Sequence, residues 1–421
     1  MTRFVYSALL YLLLPLLVLY LSFRGIKSPD YRRRWSERFG LASLSKSDLL
    51  IHSVSMGETI AAIPLIKTIQ HAFPQLTITV TTTSPTGSAE VVKAFGDSVQ
   101  HCYLPFDIAV CVQRFLKQVS PKSIIIMETE LWPNLIHYAS TSGAKLMLAN
   151  ARLSEKSAEK YRNKAKLTQP MLQSLNLIAA QSQQTAERFI ELGVDPAKVI
   201  VTGSLKFDLT ISKDKIKQAK TLRAQWQRVD SPVWVAGSVH PGEFEAMLQA
   251  HRKLLLVRPD ALLIVVPRHP EQFNAAASKV AESGFILSRR SLNEAIQPDT
   301  QVLLGDTMGE LLIFYGAADQ AFVGGTLIDN GGHNPLEPAA LGLPVFVGPH
   351  HWDFLEITGL LKDAGALQVI DSADELAEAL IVKFNNEDAY KAASAAGLEV
   401  VSTNRGALQH QFELAKRLIE G

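Results

Sequence analysis

The chain has 421 residues, of which 47% are hydrophobic and 20% are charged, a composition typical of a globular protein rather than a disordered one. This length exceeds what a single hydrophobic core usually supports, so we expect two domains. The formal net charge of +1 gives no reason to expect a nucleic-acid partner. The two cysteines, Cys102 and Cys111, lack the spacing of a metal site or a disulfide framework.

An uncharged apolar segment opens the chain. It runs from Phe4 to Leu21 and just reaches the length of a helix that spans a bilayer. More Arg and Lys residues follow this segment than precede it, and this bias places the next domain in the cytoplasm. We therefore predict a membrane anchor over residues 1–22. Its basic flank is expected to lie against anionic lipid head groups, with residues at 24, 27, 32, 33, 34 and 38.

Three other structures are compatible with this apolar segment. A cleaved signal peptide would need a small-residue cleavage site, which does not follow, and the basic flank would oppose export. A core helix this apolar would need protein on every side. A monotopic anchor could lie in one leaflet if Pro15 kinks the helix. The sequence does not separate this last structure from a spanning helix.

After Gly40, short apolar runs alternate with helical segments. In the first half, these runs predict strands at 49–54, 76–82, 123–127, 145–150, 177–181 and 199–203. In the second half, they predict strands at 232–238, 261–267, 301–306, 320–325, 344–349 and 366–370. Continuous apolar strands separated by helices are typical of parallel sheets covered on both faces. We predict an α/β fold of two doubly wound domains facing across a cleft.

One carboxylate stands at a junction between a predicted strand and helix. Glu58 follows Gly57 and begins the helix predicted over 58–71. An acidic side chain there can cap the helix, and it can also act as a general base. The helix N-terminus favours the ionised form by about 0.3–1 kcal/mol, so the two roles are compatible.

Other polar residues follow strands of the first half. Glu128 and Glu130 come directly after the strand at 123–127, and either could instead cap the next helix. Lys206 lies just beyond the strand at 199–203, where a lysine is usually solvated. Ligands of open parallel sheets bind at the carboxyl ends of the strands, so these positions are candidate site residues.

The segment "FVGGTLIDNGGHNPLEPAALGLPVFVGP" is the most specific motif of the second half. It contains glycine pairs at 324–325 and 331–332, followed by a helix predicted over 336–341. Glycines let the backbone approach a ligand, and the first amides of a helix can bind an anion. Glu337 could accept a hydrogen bond from a sugar hydroxyl. A capped turn would explain only one glycine pair, so we predict a ligand site.

Three further loops of the second half also follow predicted strands. Arg268 can bind a phosphate or carboxylate, with a surface salt bridge as the alternative. Thr307 and Glu310 lie in a second loop and also fit a capping box. The third loop, which leads to Glu243, is a less specific candidate for an anion site. The chain contains no D-x-D motif, P-loop or strand-linked G-x-G-x-x-G, which argues against a metal-chelating nucleotide-sugar site, an NTPase and a dehydrogenase.

Seven motifs, in this order, resemble those of bacterial 3-deoxy-D-manno-octulosonic acid (Kdo) transferases. They are "HSVSMGE", "METELWPN", "NARLS", "VTGSLKFD", "VPRHPE", "GDTMGEL" and "GGHNPLEP", and the resemblance covers essentially the whole chain. It implies a GT-B glycosyltransferase of lipopolysaccharide biosynthesis that needs no metal or cofactor. The implied reaction transfers Kdo from CMP-Kdo to the lipid A precursor at the inner face of the inner membrane.

The resemblance also implies roles for individual residues. Glu58 corresponds to the general base, and Glu128 and Lys206 correspond to positions that stabilise the transition state. Lys206 is in addition expected to pair with the Kdo carboxylate. The implied domains are the anchor at 1–22, an acceptor-binding domain at 23–206 and a CMP-Kdo donor-binding domain at 207–421. The implied substrate-binding residues are Pro267, Arg268, Met308, Gly309, Glu310, Asn334, Pro335, Leu336 and Glu337.

Two other classes of protein compete with this interpretation. Another GT-B enzyme, such as a nucleotide-sugar epimerase or a lipid-linked N-acetylglucosamine transferase, would use UDP instead of CMP. A catalytically silent, membrane-bound carbohydrate-binding protein would have no use for Glu58, Glu128 and Arg268 together.

Overall fold

A computed structural model describes residues 1–27 and 29–421, and it divides into two compact units. The first unit comprises Met1–Asp208 and Arg405–Gly421, and the second comprises Leu209–Asn404. The boundary predicted at 206/207 lies within two residues of this division. The prediction that the second domain continues to residue 421 is wrong, because the last helix of the chain packs in the core of the first unit.

The first unit is built on a parallel sheet of seven strands in the order β3-β2-β1-β4-β5-β6-β7. Its strands are β1 (Leu49–His52), β2 (Ile78–Thr82), β3 (Gln100–Tyr103), β4 (Ser123–Met127), β5 (Lys145–Ala151), β6 (Leu177–Ala180) and β7 (Val199–Val201). The sequence analysis missed β3, because its first two residues are polar and only the last two are buried.

The second unit repeats this plan with the strand order β10-β11-β9-β8-β12-β13-β14. Its strands are β8 (Val233–Val239), β9 (Leu262–Pro267), β10 (Leu287–Arg289), β11 (Val302–Leu304), β12 (Gln320–Val323), β13 (Val345–Val347) and β14 (Leu367–Val369). The strand missed here is β10, which is three residues long and has one buried side chain.

Helices connect the strands in both units. Those of the first unit are α1 (Arg3–Lys27), α2 (Trp35–Arg38), α3 (Met56–Ala72), α4 (Pro85–Phe95), α5 (Ala109–Val119), α6 (Pro133–Thr141), α7 (Glu155–Arg162), α8 (Ala165–Gln173) and α9 (Gln183–Glu191). Those of the second are α10 (Lys213–Gln225), α11 (Phe244–Leu255), α12 (Phe273–Glu282), α13 (Leu311–Gly316), α14 (Leu336–Ala339), α15 (Leu355–Asp363), α16 (Ala373–Asn385) and α17 (Glu387–Thr403). The last helix, α18 (Ala407–Glu420), returns to the first unit.

Each sheet is buried on both faces, as the continuous apolar strands predict. Alternate side chains of a strand point to opposite faces, so Leu50 joins one apolar cluster while Leu49 and Ile51 join another. Complete burial of such a side chain contributes roughly 1.5–3 kcal/mol relative to exposure. The two faces together hold the strand ends, and the loops that follow them, in fixed positions.

Each sheet has a central switch point where the strand order reverses, and in the second sheet β10 also lies outside β11 at the edge. The reversal falls between β1 and β4 in the first unit and between β8 and β12 in the second. Ligands of doubly wound sheets bind outside the carboxyl ends of the strands at such a switch point. Glu58 follows β1 and Glu128 follows β4, so these two candidates flank the first switch point.

Among the described residues, one helix is long and apolar enough to cross a membrane, the Arg3–Ile26 part of α1, with a mean hydropathy of 2.3. The basic residues after it divide into two groups. Arg32 and Arg33 are exposed, in line with the predicted lipid contact. Arg34 instead pairs with Glu37, and Arg38 is buried with its guanidinium over the Tyr103 ring. The prediction that the whole basic cluster faces lipid is therefore wrong for Arg34 and Arg38.

Candidate active site

Glu58 caps the helix that it begins. Ser55 is the N-cap of α3, and its hydroxyl oxygen accepts the Glu58 N–H at 3.2 Å. The Glu58 carboxylate reaches back to accept the Val54 N–H at 2.8 Å and the Ser55 hydroxyl at 2.9 Å. This is a capping box in which each of the two side chains satisfies a backbone donor. Each carboxylate oxygen has one such partner and retains a lone pair for another hydrogen bond.

Burial dominates the electrostatics of Glu58. Its residue is 8% exposed, and this burial raises the pKa of the carboxyl above its ordinary value, as does the nearby charge of Glu128. The hydrogen bonds from Val54 and Ser55 oppose the rise in pKa. The expected stabilisation of the charged form at the helix N-terminus is thus outweighed. A carboxylate with a raised pKa binds a proton more strongly, which suits a general base.

Glu128 and Lys206 form an ion pair, although 78 positions separate them in the numbering of the chain. Glu128 follows β4 with a left-handed φ of 53°, and its N–H donates to Ala149 O at 2.9 Å. Lys206 lies in the turn Leu205–Phe207 after β7, and its Nζ is 3.5 Å from Glu128 Oε1. Both side chains are about one-fifth exposed, so the pair is accessible from solvent.

Glu130 adds a third carboxyl group to this site. The pKa of Glu130 is raised to about 7, mainly by burial and to a smaller extent by the charges of Glu58 and Glu128. Three acidic groups therefore influence one another, and Glu128 has the ammonium group of Lys206 as its partner. Such a site can accept a proton near neutral pH and can hold a positive charge beside a reacting centre.

Two residues that the sequence analysis missed hold the Lys206 loop. The Asn150 carbonyl oxygen Oδ1 accepts the Leu205 N–H at 3.0 Å. Gln411 on α18 accepts the Asn150 N–H at 2.9 Å and donates to Thr202 Oγ1 at 3.1 Å. Asn150 itself has a left-handed φ of 50°. The motif "NARLS" contained Asn150, but no local pattern pointed to Gln411, which lies 261 positions away.

In the second unit, three histidines and an arginine meet beyond β8, β9 and β12. The Nε2 atoms of His240 and His333 are 2.8 Å apart, and the rings stack at 7° with centroids 5.1 Å apart. The His269 ring lies 5.6 Å from that of His240. Burial lowers the pKa of His333 to about 3, and the charge of Arg268 is the next cause. His333 is therefore uncharged at neutral pH, and a bound anion would favour its protonation.

A fourth residue of this region has a structural role that the sequence analysis did not predict. Glu243 is completely buried, and its carboxylate accepts the N–H groups of Gly325, Thr326 and Leu327 at 2.7, 3.0 and 3.0 Å. It also accepts the His240 N–H at 3.0 Å. The amides after the first glycine pair therefore bind the protein's own carboxylate. The amides of Gly325, Thr326 and Leu327 are therefore not available to a bound anion, because the Glu243 carboxylate already occupies them.

The second glycine pair serves close packing. A Cβ on Gly331 would lie 2.6 Å from the Asp353 carboxylate, and a Cβ on Gly332 would lie 2.8 Å from Thr326 Cγ2. Both glycines also have a left-handed φ of 84°. The helix that follows, α14, ends at Ala339 instead of the predicted residue 341, so it is a single turn. Its Leu336 amide is occupied by Asn334 Oδ1 at 3.1 Å.

The remaining predicted binding residues of this unit differ in burial and in the number of hydrogen bonds that they make within the protein. Glu310 accepts two hydrogen bonds from Arg290, at 3.1 and 2.8 Å, and one from Thr307, which lowers the Glu310 pKa. Arg290 and Glu310 line a cavity of about 520 Å³. Burial raises the pKa of Glu337, with the charge of Lys215 opposing it. Met308 is exposed and Pro267 is buried at the end of β9.

Within residues 1–27 and 29–421, no group of three or more His, Cys, Asp or Glu side chains is arranged to hold a metal ion. The predicted residues thus form one group in each unit. Glu58, Glu128 and Lys206 lie together at the carboxyl edge of the first sheet. The predicted substrate-binding residues lie in loops at the carboxyl edge of the second sheet, although several of them have structural partners.

The two parallel-sheet units, with loops at their switch points, have the fold of GT-B proteins. UDP-GlcNAc 2-epimerase from Neisseria meningitidis shares the fold, with a TM-score of 0.58 and 14% identity over 87% of this chain and 99% of that one. A glycosyltransferase from Rickettsia africae is similar, with a TM-score of 0.55 and 15% identity over 89% of this chain and 99% of that one.

Sequence similarity identifies the family. A family model described as 3-deoxy-D-manno-octulosonic-acid transferase (kdotransferase) matches residues 33–209. The 3-deoxy-D-manno-octulosonic acid transferase of Haemophilus influenzae is 43% identical over 100% of this chain and 99% of its own length. The chain belongs to the Kdo transferase family, and the prediction of a glycosyltransferase of this family is confirmed.

Proposed function

We propose that this protein transfers Kdo from CMP-Kdo to the lipid A precursor, lipid IVA, by an inverting and metal-independent reaction. Membership of the Kdo transferase family supports the reaction class. The observation that carries the mechanism is the position of Glu58, a buried carboxylate with a raised pKa that follows β1 at the switch point of the first sheet.

In this mechanism Glu58 is the general base. Its carboxylate takes the proton of an acceptor hydroxyl while the hydroxyl oxygen attacks the anomeric carbon of Kdo. The bond between that carbon and the CMP phosphate oxygen breaks, and CMP leaves with the electron pair. Positioned proton transfer of this kind typically accelerates a reaction about 10²–10⁴-fold.

Lys206 and Glu128 act on the sugar. Kdo carries a carboxylate, and the ammonium group of Lys206 is its proposed partner. Glu128, 3.5 Å from Lys206, orients that ammonium group before the substrate arrives. The carboxylate of Glu128 also favours the positive charge that develops on the sugar ring as the bond to CMP breaks.

The second unit binds the donor in this account. Arg268 is proposed to hold the CMP phosphate, and His240 and His333, which follow the neighbouring strands β8 and β12, assist it. Met308, Gly309 and Glu310 would bind the nucleoside. The segment Asn334–Glu337 would complete the donor site, with Glu337 accepting from a sugar hydroxyl. Since the Leu336 amide is already occupied, the side chains of this segment supply the contacts.

The membrane attachment follows from the acceptor. Lipid IVA does not leave the bilayer, so the acceptor-binding unit must work at the membrane surface. The exposed apolar residues of α1 and the exposed Arg32 and Arg33 support attachment to the inner membrane with the catalytic units in the cytoplasm. Exposed basic residues near an anionic surface each contribute about 1 kcal/mol.

A transfer assay tests this proposal. Purified enzyme is given freshly generated CMP-Kdo and tetra-acylated lipid A precursor, and products are read by mass spectrometry. We expect a product heavier by one or more Kdo units, inhibition by CMP and little inhibition by UDP. Glu58→Gln should lose about 10²–10⁴-fold in rate, while the exposed control Glu159→Gln should not. Inhibition by UDP alone would support a different donor, and an active Glu58→Gln enzyme would reduce Glu58 to a helix cap.

A further inference from the structure

The N-terminal end of α1 is bound to the first unit by polar contacts. Arg3 Nη1 and Ser7 Oγ donate to Asn134 Oδ1 at 3.2 and 3.0 Å. The Tyr6 hydroxyl donates to Asp107 Oδ2 at 3.0 Å. The first two turns of the apolar helix are thus hydrogen-bonded to the folded unit.

The partners of α1 are buried parts of the fold. The Asp107 carboxylate also accepts the N–H groups of Asn134 and Leu135 at 2.9 and 2.8 Å. Asn134 in turn donates from Nδ2 to the Asp107 carbonyl at 2.6 Å. If Tyr6 moved away, the buried Asp107 carboxylate would lose one of its hydrogen bonds, which is unfavourable for a charged group. The contact is therefore not a loose surface association.

The C-terminal end of α1 contacts the same unit. Leu21 is only 6% exposed. Gly25 faces the Arg32 side chain so closely that a Cβ would lie 2.7 Å from Arg32 Cγ. The Arg24 guanidinium lies 4.4 Å from the centre of the Tyr31 ring. The C-terminal end of α1 therefore packs on the segment that follows it, at Tyr31 and Arg32.

One face of α1 is less exposed than the other along the length of the helix. The less exposed positions recur every three or four residues, the spacing of one helix face, at 3, 6, 7, 10, 14, 17, 18, 21 and 25. The opposite face is apolar and open to the surroundings, with Phe4, Leu12, Leu16, Leu19, Phe23 and Ile26 between 60% and 81% exposed. The helix thus has a protein side and an outer apolar side.

Length and charge decide how this helix meets a bilayer. A 25-residue helix is about 37 Å long, and the hydrocarbon core of a bilayer is about 30 Å thick. A spanning α1 would carry its first turn to the far side and break the contacts of Tyr6 and Arg3. Positive groups flank both ends, with Arg3 and Lys166 at one and Arg24, Arg32 and Arg33 at the other. Head groups of one leaflet can meet both ends only if the helix lies flat.

We infer that α1 lies in the plane of the membrane, with its outer face in one leaflet of an anionic phospholipid bilayer and its N-terminus on the cytoplasmic side. This inference rests on the proposed membrane attachment and replaces a spanning anchor by a monotopic one. The apolar residues enter the acyl region of that leaflet, and the flanking arginines and Lys166 contact its phosphates.

Cysteine labelling in cells tests the location of the N-terminus. Thr2→Cys is exposed to a membrane-impermeant maleimide in intact spheroplasts and after permeabilisation, with Asp230→Cys as the cytoplasmic control. Both native cysteines are buried, so their background is low. We expect Thr2→Cys to react only after permeabilisation, like Asp230→Cys. Reaction in intact spheroplasts would place the N-terminus outside and overturn the inference.

Cross-linking in native membranes tests the contact itself. The Val110 N–H donates to the Tyr11 hydroxyl at 3.4 Å, so Tyr11→Cys with Val110→Cys should be joined by a short bis-maleimide. Leu12→Cys with Val110→Cys is the matched control, because Leu12 is 74% exposed on the outer face. We expect at least a fivefold higher yield for the first pair. Equal yields, or none for the first pair, would show that α1 leaves the unit in the membrane.

The proposed attachment and the inferred orientation fail in different ways. Wild-type protein that stays in the supernatant after membranes are sedimented, or that shows no Kdo transfer, contradicts the proposed function. Protein that sediments with membranes and transfers Kdo, yet reacts at Thr2→Cys from outside, contradicts only the in-plane orientation.

Discussion

The two units place a glutamate at comparable points and use it in opposite ways. Glu58 follows β1 and Glu243 follows β8, the strands at the switch point of each sheet. Glu243 is completely buried and accepts four backbone N–H groups, so its carboxylate is fully engaged. Glu58 remains slightly exposed and has one partner on each oxygen. The same residue type after the same kind of strand is a structural anion in one unit and a candidate base in the other.

The number of hydrogen bonds explains this difference. A carboxylate with four donors has no strong site left for a proton or a ligand. A carboxylate with two donors and a raised pKa can still accept a proton and a hydrogen bond from a ligand. The second unit consequently presents histidines and an arginine to a ligand, whereas the first presents carboxylates and one lysine. The two sites suit an anionic leaving group and a proton-donating acceptor, respectively.

The largest expected effect is on stability, and it should occur at Glu243 and not at Glu58. Glu243→Ala should lower the free energy of unfolding of the second unit by about 3 kcal/mol or more, because several amides lose a charged acceptor worth roughly 1.5–3 kcal/mol each. Glu58→Gln should cost about 1 kcal/mol or less, because Ser55 still caps the helix. Urea unfolding followed by circular dichroism measures both. A Glu243→Ala protein as stable as wild type would break the comparison.

The ion pair of the first unit is the next largest test. Lys206→Met should lower kcat/KM for CMP-Kdo about 10²-fold, since the Kdo carboxylate loses its charged partner and the sugar is no longer held in the reactive position. Affinity for CMP should change little, because CMP is assigned to the second unit. Steady-state kinetics and CMP titration separate these two quantities. Lys160→Met, an exposed lysine of α7, is the control. An unchanged kcat/KM of Lys206→Met would remove the lysine from the mechanism.

A smaller effect is expected at Gln411, which contacts the Lys206 loop through Asn150 and Thr202. Gln411→Ala should lower kcat about tenfold by loosening that loop, with the KM for CMP-Kdo unchanged. Gln409→Ala, on the exposed face of the same helix, should have no effect. A fall in thermal stability without any change in kcat would make Gln411 a purely structural residue.

The smallest effect is a pH dependence in the second unit. The pKa of His333 is lowered to about 3 and that of His240 is also lowered, so both are uncharged in the free protein at neutral pH. A bound phosphate raises these pKa values, so CMP binding takes up protons and tightens as pH falls, by at most about tenfold per pH unit for each proton taken up. Calorimetry between pH 7.5 and 5.5 measures this, with His410→Gln as control. A slope that persists in His333→Gln would exclude this histidine.

Local patterns in the sequence predicted much of this molecule. Twelve apolar runs became twelve strands, and Glu58 caps its helix, one of the two roles that its position predicted. The missed strands β3 and β10 are short and partly polar, so their pairing depends on neighbours that the local pattern does not reveal. The family resemblance supplied the residue roles, which the motifs alone left open.

The remaining features depend on contacts between distant residues. Glu243 meets amides 82 to 84 positions later, and Gln411 on the returning α18 meets Asn150 across 261 positions. Arg38 appeared to be a surface charge, but stacking on Tyr103 and a bond to the Thr83 carbonyl draw it inside. Periodicity reports which face of an element is buried, and it does not report which partner a polar side chain finds.

The most direct test of the central claim is a single-turnover rate. Excess enzyme, wild type or Glu58→Gln, is saturated with CMP-Kdo, mixed with lipid IVA and quenched for mass spectrometry, so that product release does not contribute. If Glu58 is the general base, we expect a 10²–10⁴-fold lower rate for Glu58→Gln, with unchanged CMP affinity and near wild-type stability. A Glu58→Gln rate within a few fold of wild type would contradict it and make Glu128 the next candidate base.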